Sequence, residues 1–385
     1  MKSWPKVALG DLFDVEKGKI GIMAATPGEF PLVTTGENFA SHFEPHFAGD
    51  AVCIPLISAT GHGHASLKRL HHVEGEFAVG SILCACINRA PERVMARYAY
   101  YYLSACKDSV LIPLMQGTAN MSMKIADIIG VEIQLPPLSE QQAVVVRLDA
   151  LADKVRQVES HLHAVECDAE RLLALSFHDA IAGAPTRPMA EIAPAIRRPV
   201  EIDIATRYRE VGARSFGKGL FIKPDFDGAE ATWQKPVWIK SGDLVLSNIK
   251  AWEGAVAIAG EEHEGCIASH RYITCVPEPA IATVSFLAYY LLSAEGLEKI
   301  GFASPGTADR NRTLSLTNLG KIEVPTPPLA IQLSFNRLQA EVAALKAKHA
   351  AIRAAIAALL PATLERVFAF ATDDGDAGNL TDFVA

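Results

Sequence analysis

The chain of 385 residues is 50% hydrophobic and 21% charged, with a formal net charge of −8. It is too long for one ordinary core and too apolar for a disordered chain, so two or more folded domains are predicted. The acidic balance excludes a protein that coats nucleic acid by electrostatics alone, because neutralising phosphates needs Lys and Arg.

No stretch reaches the roughly 18 to 20 apolar residues of a membrane span. The first residues, Met-Lys-Ser-Trp-Pro-Lys, run into Asp11 and Asp14 rather than an apolar segment. A cytoplasmic protein is therefore expected. The seven cysteines, at 53, 84, 86, 106, 167, 266 and 275, are odd in number and scattered, which suits buried reduced thiols better than a disulfide framework.

An internal repeat organises the chain. Ala99-Tyr100-Tyr101-Tyr102-Leu103-Ser104-Ala105 returns as Ala288-Tyr289-Tyr290-Leu291-Leu292-Ser293-Ala294, and Gly117-Thr118-Ala119 as Gly306-Thr307-Ala308, both shifted by 189. Val131-Glu132-Ile133 matches Ile322-Glu323-Val324, and Pro136-Pro137-Leu138 matches Pro327-Pro328-Leu329, at 191; the early match of Leu9-Gly10-Asp11-Leu12 to Met189-Ala190-Glu191-Ile192 sits at 180.

Taken in order, residues 1–137 form a first α+β domain, with β-rich runs at Asp50–Ser58 and Ser81–Ile87 and a helix around the Tyr-Tyr motif. After Pro-Pro-Leu, Ser139 and Gln142 form a Ser-x-x-Gln capping box that starts a long helix over residues 138–182. Its Leu148, Leu151, Val155, Val158, Leu162, Val165, Ala169 and Leu172 follow three- and four-residue steps, an unbroken heptad seam. Residues 183–328 form a second α+β domain with strands at Asp243–Ile249 and Tyr272–Val276. A second long helix over 329–370 repeats the seam through Phe335, Leu338, Val342, Leu345, His349, Ile352, Ile356 and Leu359. Comparing Ala180-Ile181-Ala182 with Val367-Phe368-Ala369 makes the first helix about one turn longer, and Pro361 is expected to kink or interrupt the second. Residues 371–385 read as an acidic, solvated tail. The first helix, at about 1.5 Å per residue, reaches roughly 65 Å, a spacer's length. Each seam needs a partner, either the other helix of the same chain in an intramolecular coiled coil or the helix's own domain.

Catalytic signatures are missing. No Lys has Asp or Glu two positions before it, both Pro-Pro pairs are followed by Leu, and no phosphate-binding G-x-x-x-x-G-K-[ST] loop exists. A metal set is equally lacking. Cys84 and Cys86 have no second pair and are read as pointing to opposite faces of a strand, and no carboxylate or Cys completes His42 with His46 or His62 with His64.

Candidate DNA contacts are loops rich in glycine and donors. Segments 138–184 and 329–385 carry −4 and −1 of the net charge, leaving both globular parts near neutral with room for basic patches. In the first domain the candidates are Thr60, Gly61, His62, Lys68 and Arg69, on a run that also reads as an ordinary polar hairpin. In the second they are Arg209, Arg214, Lys218, Lys250, His270, Arg271, Arg310, Asn311 and Arg312, set among further basic residues at Arg197, Arg198, Arg207 and Lys223. Arg and Asn are shaped to read guanine and adenine in the major groove; each run taken singly also reads as a solvated surface. Trp252, near Lys250, supports a loop or fills the core.

Two globular parts, each closed by a hydrophobic strand, Pro-Pro-Leu and a heptad helix, resemble the type I restriction-modification DNA specificity (S) subunit. The residues that carry the resemblance are Val131 to Gln142 (Val-Glu-Ile-Gln-Leu-Pro-Pro-Leu-Ser-Glu-Gln-Gln), the second Pro-Pro-Leu-Ala-Ile-Gln332, Trp252-Glu253-Gly254-Ala255, Ser269-His270-Arg271 and Ala303-Ser304-Pro305-Gly306. Gln is retained at 141 and 332, whereas the capping box is absent from the second copy. The resemblance implies two target recognition domains joined by two long antiparallel coiled-coil helices in a pseudo-twofold tandem repeat. It further implies a bipartite double-stranded DNA target with a spacer fixed by helix length. Two methyltransferase (modification) subunits would dock on the helices, and restriction (translocase/nuclease) subunits would complete the assembly. This chain would be non-catalytic and bind no cofactor, with S-adenosylmethionine, ATP and Mg in the partners. A stand-alone DNA-binding regulator and a coiled-coil adaptor without restriction activity are the alternatives.

Overall fold

Alternation of small and β-branched residues from Phe47 to Pro55 makes a strand that is buried on both faces along most of its length. In the computed structural model, which describes residues 4–60, 63–231, 235–306 and 311–368, this strand lies inside a six-stranded sheet. The spatial order is Phe13–Lys17, Leu83–Asn88, Phe47–Pro55, His71–Val79, Phe30–Val33 and Ala40–His42. All neighbours are antiparallel except Phe30–Val33 beside His71–Val79. One face, with Val52, Ile54, Cys84 and Cys86, packs under the helix Ala96–Val110; the other, with Ala51, Cys53, Phe77 and Ala85, forms a separate core. Cys84 and Cys86 thus share a face, correcting the opposite-face reading: strand side chains repeat every two residues, so positions two apart point the same way. All seven cysteines are unpaired, and only Cys167 is exposed. Burial pushes the thiol of Cys106 up to about 11 and that of Cys53 higher still. These groups stay protonated and pack as small hydrophobes.

The chain divides into two compact units. One takes residues up to Leu162 plus those from His349 onward, and the other is His163–Lys348. The second unit has a smaller sheet of Val256–Ile258, Leu244–Ser247 and Tyr272–Cys275, with two-stranded ribbons around it. Where the first unit has one helix, the second has two, Val284–Leu292 and Ala294–Ala303. Ser293 causes the break: its hydroxyl accepts from the Gly296 N–H at 3.2 Å, a helix N-cap. A Cβ on Gly296 would fall 2.0 Å from the Tyr290 carbonyl, so glycine is required for this close turn.

Beneath these differences a frame repeats. Lys6–Ala8 pairs antiparallel with Glu132–Gln134 in the first unit, and Thr186–Pro188 pairs antiparallel with Glu323–Pro325 in the second. Each ribbon leads directly into a long helix, Leu138–Ile181 or Leu329–Phe368. Both helices start the same way, with Pro137 O accepting from Glu140 and Gln141 N–H, and Pro328 O accepting from Ile331 and Gln332 N–H. Ser139 therefore lies inside the first turn and the expected capping box does not form; the retained glutamine is the working residue. Fully buried Gln141 accepts from the Met95 N–H at 2.9 Å and donates to the carbonyls of Arg93 (2.9 Å) and Pro136 (2.8 Å). Gln332, also fully buried, accepts from Thr283 N–H at 3.0 Å and donates to Ile281 and Pro327 carbonyls, both at 2.9 Å. In both units the amide clasps the residue that caps the domain helix.

The far end of each long helix completes the other unit's core. Phe177 packs on Phe286 (5.2 Å) and Tyr290 (6.4 Å) in the second unit. Phe368 packs on Tyr98 (5.8 Å) and Tyr102 (5.5 Å) in the first, beside Leu148 and Leu364. Within the second unit Phe177 meets Phe335 at 5.2 Å, while Glu170 pairs with Lys346 at 2.7 Å. Moving back along the first helix matches moving forward along the second, so these segments run antiparallel. Phe177 lies 39 residues after Leu138 (177 − 138) and Phe368 39 after Leu329 (368 − 329). The anchoring aromatic thus sits at the same distance from each start, while the described helices span 44 and 40 residues, the first being longer by about one turn as expected. Pro361 lies inside the second helix without ending it.

The seam is buried at Leu148, Leu162 and Val342, and half-buried at Leu151, Val155, Val165, Leu338, Leu345 and Ile356. Val158, Leu172, Ile352 and Leu359 are more than a third exposed, and the less exposed positions next to three of them are Leu173, Arg353 and Leu360. A straight helix with 3.6 residues per turn drifts about 20° per heptad against a 3.5 repeat, which moves the covered stripe by one residue.

Replacing Gln141 with Ala leaves a buried N–H and two carbonyls without partners, at about 1–3 kcal/mol for an orphaned group. We expect Gln141→Ala to lower the urea midpoint by a stability loss of about 3 kcal/mol, with the slope unchanged; a loss under about 0.5 kcal/mol would contradict this role.

Candidate nucleic-acid interface

In the second unit, backbone pairing assembles one surface from four separated segments. Asn248 N–H donates to Arg271 O at 2.8 Å, and Leu314 N–H donates to Asn248 O at 2.7 Å. This places the 269–271 turn and the extended segment 312–314 on either side of the 248–254 turn. A fourth segment joins through Phe216 N–H to Glu253 O (2.8 Å) and Gly217 N–H to Gly254 O (2.9 Å). At the centre, Trp252 donates its indole N–H to Ile249 O at 3.1 Å and is flanked by two cations. The Arg312 guanidinium lies 4.6 Å from the ring centroid and the Lys250 ammonium 5.3 Å. Arg312 is held further by the Gly301 carbonyl at 2.9 Å. Cations alternating with aromatic faces match what nucleic acids present, phosphates alternating with bases.

Charge on this surface is tuned locally. Lys250 pairs with Glu253, and its ammonium holds that carboxyl below the usual range. Glu253 also accepts from the Ser215 hydroxyl at 3.0 Å. His270 and Arg271 are exposed, and no intramolecular side-chain bond holds Arg271 among the described residues. Arg214 stacks on Phe221 at 4.7 Å, Lys218 is exposed, and Asn311 is exposed beside Arg312. Arg209 instead reaches the Glu264 carbonyl at 3.3 Å, and no contact joins it to the Trp252 group. Arg310 lies outside the described residues. Arg198, one of the basic run, makes two bonds to the nearly buried Asp243, at 2.7 and 3.0 Å. It is a core residue rather than a DNA contact.

In the first unit Thr60 turns into its own loop, donating to His64 O at 3.0 Å. Gly63, at φ 77°, packs so closely that a Cβ would meet Thr118 O at 2.7 Å, which brings the glycine loop onto the repeated Gly-Thr-Ala turn. Lys68 is exposed, and Arg69 pairs with Glu37 at 3.3 Å. Gly61 and His62 lie outside the described residues.

Beside that loop runs a polar relay that sequence reasoning missed. Arg97 donates to Asp149 of the long helix at 2.7 and 2.9 Å, and Tyr101 donates to the same oxygen at 2.5 Å. Burial, then the Asp149 charge, holds the Tyr101 phenol far above its ordinary range, so it remains a donor. Arg97 also lies 3.3 Å from His72 Nδ1, and His72 Nε2 lies 2.6 Å from Asp50. Asp50, His72 and Glu74 converge within 4.8 Å in the manner of metal ligands. A guanidinium only donates, so in this arrangement Nδ1 accepts and Nε2 donates to Asp50. Arg97 and Tyr101 share the helix Ala96–Val110, but Asp149, His72 and Asp50 come from three other elements, so the sequence carried no signal for this relay.

A repeated frame of ribbon, domain helix and long helix carries two dissimilar loop surfaces, and the comparisons find the same fold among known proteins. Residues 1–165 match the family model described as the type I restriction modification DNA specificity domain. A structure described as giving the basis for complex assembly and conformational transition of the type I R-M system is 17% identical. It covers 95% of this chain and 97% of its own, with a TM-score of 0.61. The HsdS subunit from Thermoanaerobacter tengcongensis is 18% identical over 95% and 96%, with a TM-score of 0.51. No curated protein sequence matches the chain. The resemblance read from the sequence is borne out: the chain has the fold of a type I restriction-modification specificity subunit. Among the described residues no helix is long and apolar enough to cross a membrane.

Removing one partner of a buried ion pair strands the other charge, which costs about 3–5 kcal/mol when both are fully buried. Because Arg198 is 21% exposed, Arg198→Ala is expected to destabilise the chain by about 2–3 kcal/mol. Calorimetry that finds an unchanged Tm would assign Arg198 back to the surface.

Proposed function

We propose that this chain is the sequence-specific DNA-binding subunit of a type I restriction-modification complex, each globular part reading one half of a bipartite duplex target. The observation that carries this reading is one frame used twice. Ribbon, domain helix, buried glutamine and anchoring aromatic recur, while the sheets and loops they support differ. Equal scaffolds with unequal surfaces suit a target whose halves differ in sequence but are held at a fixed interval. The first unit offers Thr60, Lys68 and Arg69; the second offers Lys250, Arg271, Asn311 and Arg312 around Trp252.

The long helices set the interval and receive two methyltransferase subunits, and restriction subunits join the assembly. The acidic balance of segment 138–184, at −4, favours a protein partner there over phosphates. Adenine methylation with S-adenosylmethionine, and ATP- and Mg-dependent translocation and cleavage, belong to those partners in the cytoplasm. This chain selects where they act.

Deleting seven residues from each helix removes about 10 Å at 1.5 Å per residue, or about three base pairs at 3.4 Å each. The expected outcome is a spacer shortened by that amount with both half-sites kept, read by mapping methylated adenines in cells that express the chain with its partners. An unchanged spacer would defeat the ruler. Arg271→Ala should relax recognition at the second unit's half-site alone, by about 1–3 kcal/mol for a lost base contact; competition binding that shows equal losses at both half-sites would contradict the assignment.

A further inference from the structure

Phe216 is presented to solvent from a loop that is not loose. Its side chain is 76% exposed, and its backbone sits in the left-handed region at φ 62°. That conformation costs a bulky residue about 1–2 kcal/mol, a cost that glycine does not incur. Glycine is used on both sides of the same tip, with Gly217 at 66° and Gly219 at 80°. The tip is fastened on two sides. Phe216 and Gly217 N–H groups donate to the carbonyls of Glu253 and Gly254 at 2.8 and 2.9 Å, and Arg214 N–H closes the hairpin on Gly219 O at 3.0 Å. An apolar ring is thereby aimed outward at a fixed point, beside the Trp252 cluster.

Its surroundings select the occupant. Residues 214–223 include Arg214 and Lys218 and no acidic residue, while the remaining cation, Lys223, is paired with Glu210 at 2.9 Å. Lys218 Nζ lies 5.9 Å from the Phe216 ring centroid, close enough for one ligand to meet both. A partner that offers a flat apolar slot between negative charges fits this pair, and a base step flanked by phosphates has that form.

We propose that Phe216 is a wedge that enters a base step of the duplex read by the second unit, with Lys218 on a flanking phosphate. This rests on the DNA-reading function proposed above and adds a different mode of selection. The ring makes no base-edge hydrogen bond, so it reads how easily a step opens. Pyrimidine–purine steps are the most easily unstacked.

The test uses the full chain co-expressed with its modification subunit. The probe is a duplex carrying the site mapped from adenine methylation, with 2-aminopurine replacing each adenine of the second half-site in turn. Wild type is expected to raise the fluorescence at one step. Phe216→Asn, which tolerates the left-handed backbone, should keep the unfolding midpoint, abolish the rise and weaken target binding at least tenfold; Phe216→Trp should retain both. Unchanged binding and fluorescence in Phe216→Asn would overturn the wedge, as would a wild-type complex that binds the target tightly with no fluorescence change at any position. A wild-type complex that binds no duplex would instead overturn the DNA-reading function and the wedge with it.

Discussion

A primary amide, buried at the first turn of each long helix, ties the globular parts to the rods. Gln141 and Gln332 each meet one N–H and two carbonyls, and only a side chain with one acceptor and two donors at that reach satisfies all three. A carboxylate lacks the donors, and an aliphatic chain leaves every partner orphaned in a dry site. Because the N–H belongs to the residue capping the domain helix and one carbonyl to the residue entering the long helix, the amide fixes their mutual angle. The ribbon, the aromatic anchor and the loops are all positioned from that joint.

Evolution of binding surfaces on such a frame needs no change in the joint. The first unit carries a six-stranded sheet and the second a three-stranded sheet with ribbons, yet both reach the same glutamine geometry. The energetic reason is separation of cores. Residues near the ribbon and domain helix share a cluster with the long helices, while Val33, Phe47 and Phe77, or Val211, Val237 and Cys266, form clusters of their own. Substitutions in the outer clusters alter loops without disturbing the joint, since distant sites contribute nearly independently.

The repeat, the long helices and the strand cores near Cys53, Cys84 and Leu244 were legible in sequence, because periodicity and self-similarity are properties of the chain itself. The exposed seam positions Leu172, Ile352 and Leu359 were misplaced by one residue, a shift that a 3.5 repeat cannot distinguish from a 3.6 helix over a few turns, and the capping box was lost because the helix starts ahead of Ser139. Within the site, basic loops were visible as composition. What brought Arg312 to Trp252, or withdrew Arg198 to Asp243, was pairing between residues more than 40 positions apart in the chain. Phe216 gave no signal, since a phenylalanine beside glycines looks the same whether its ring turns in or out.

Each anchoring aromatic fills a core built mainly from the half of the chain that its own helix does not begin in. A fragment that stopped after the first long helix would keep Tyr98, Tyr102 and Leu148 but lose Leu364, Val367 and Phe368, which cover them. An open, oily notch of that kind seeks the missing rod wherever one is available, and the end of a sibling fragment's helix offers Phe177 at the same distance from its start. In the chain as it stands that notch is filled from within by Leu364, Val367 and Phe368.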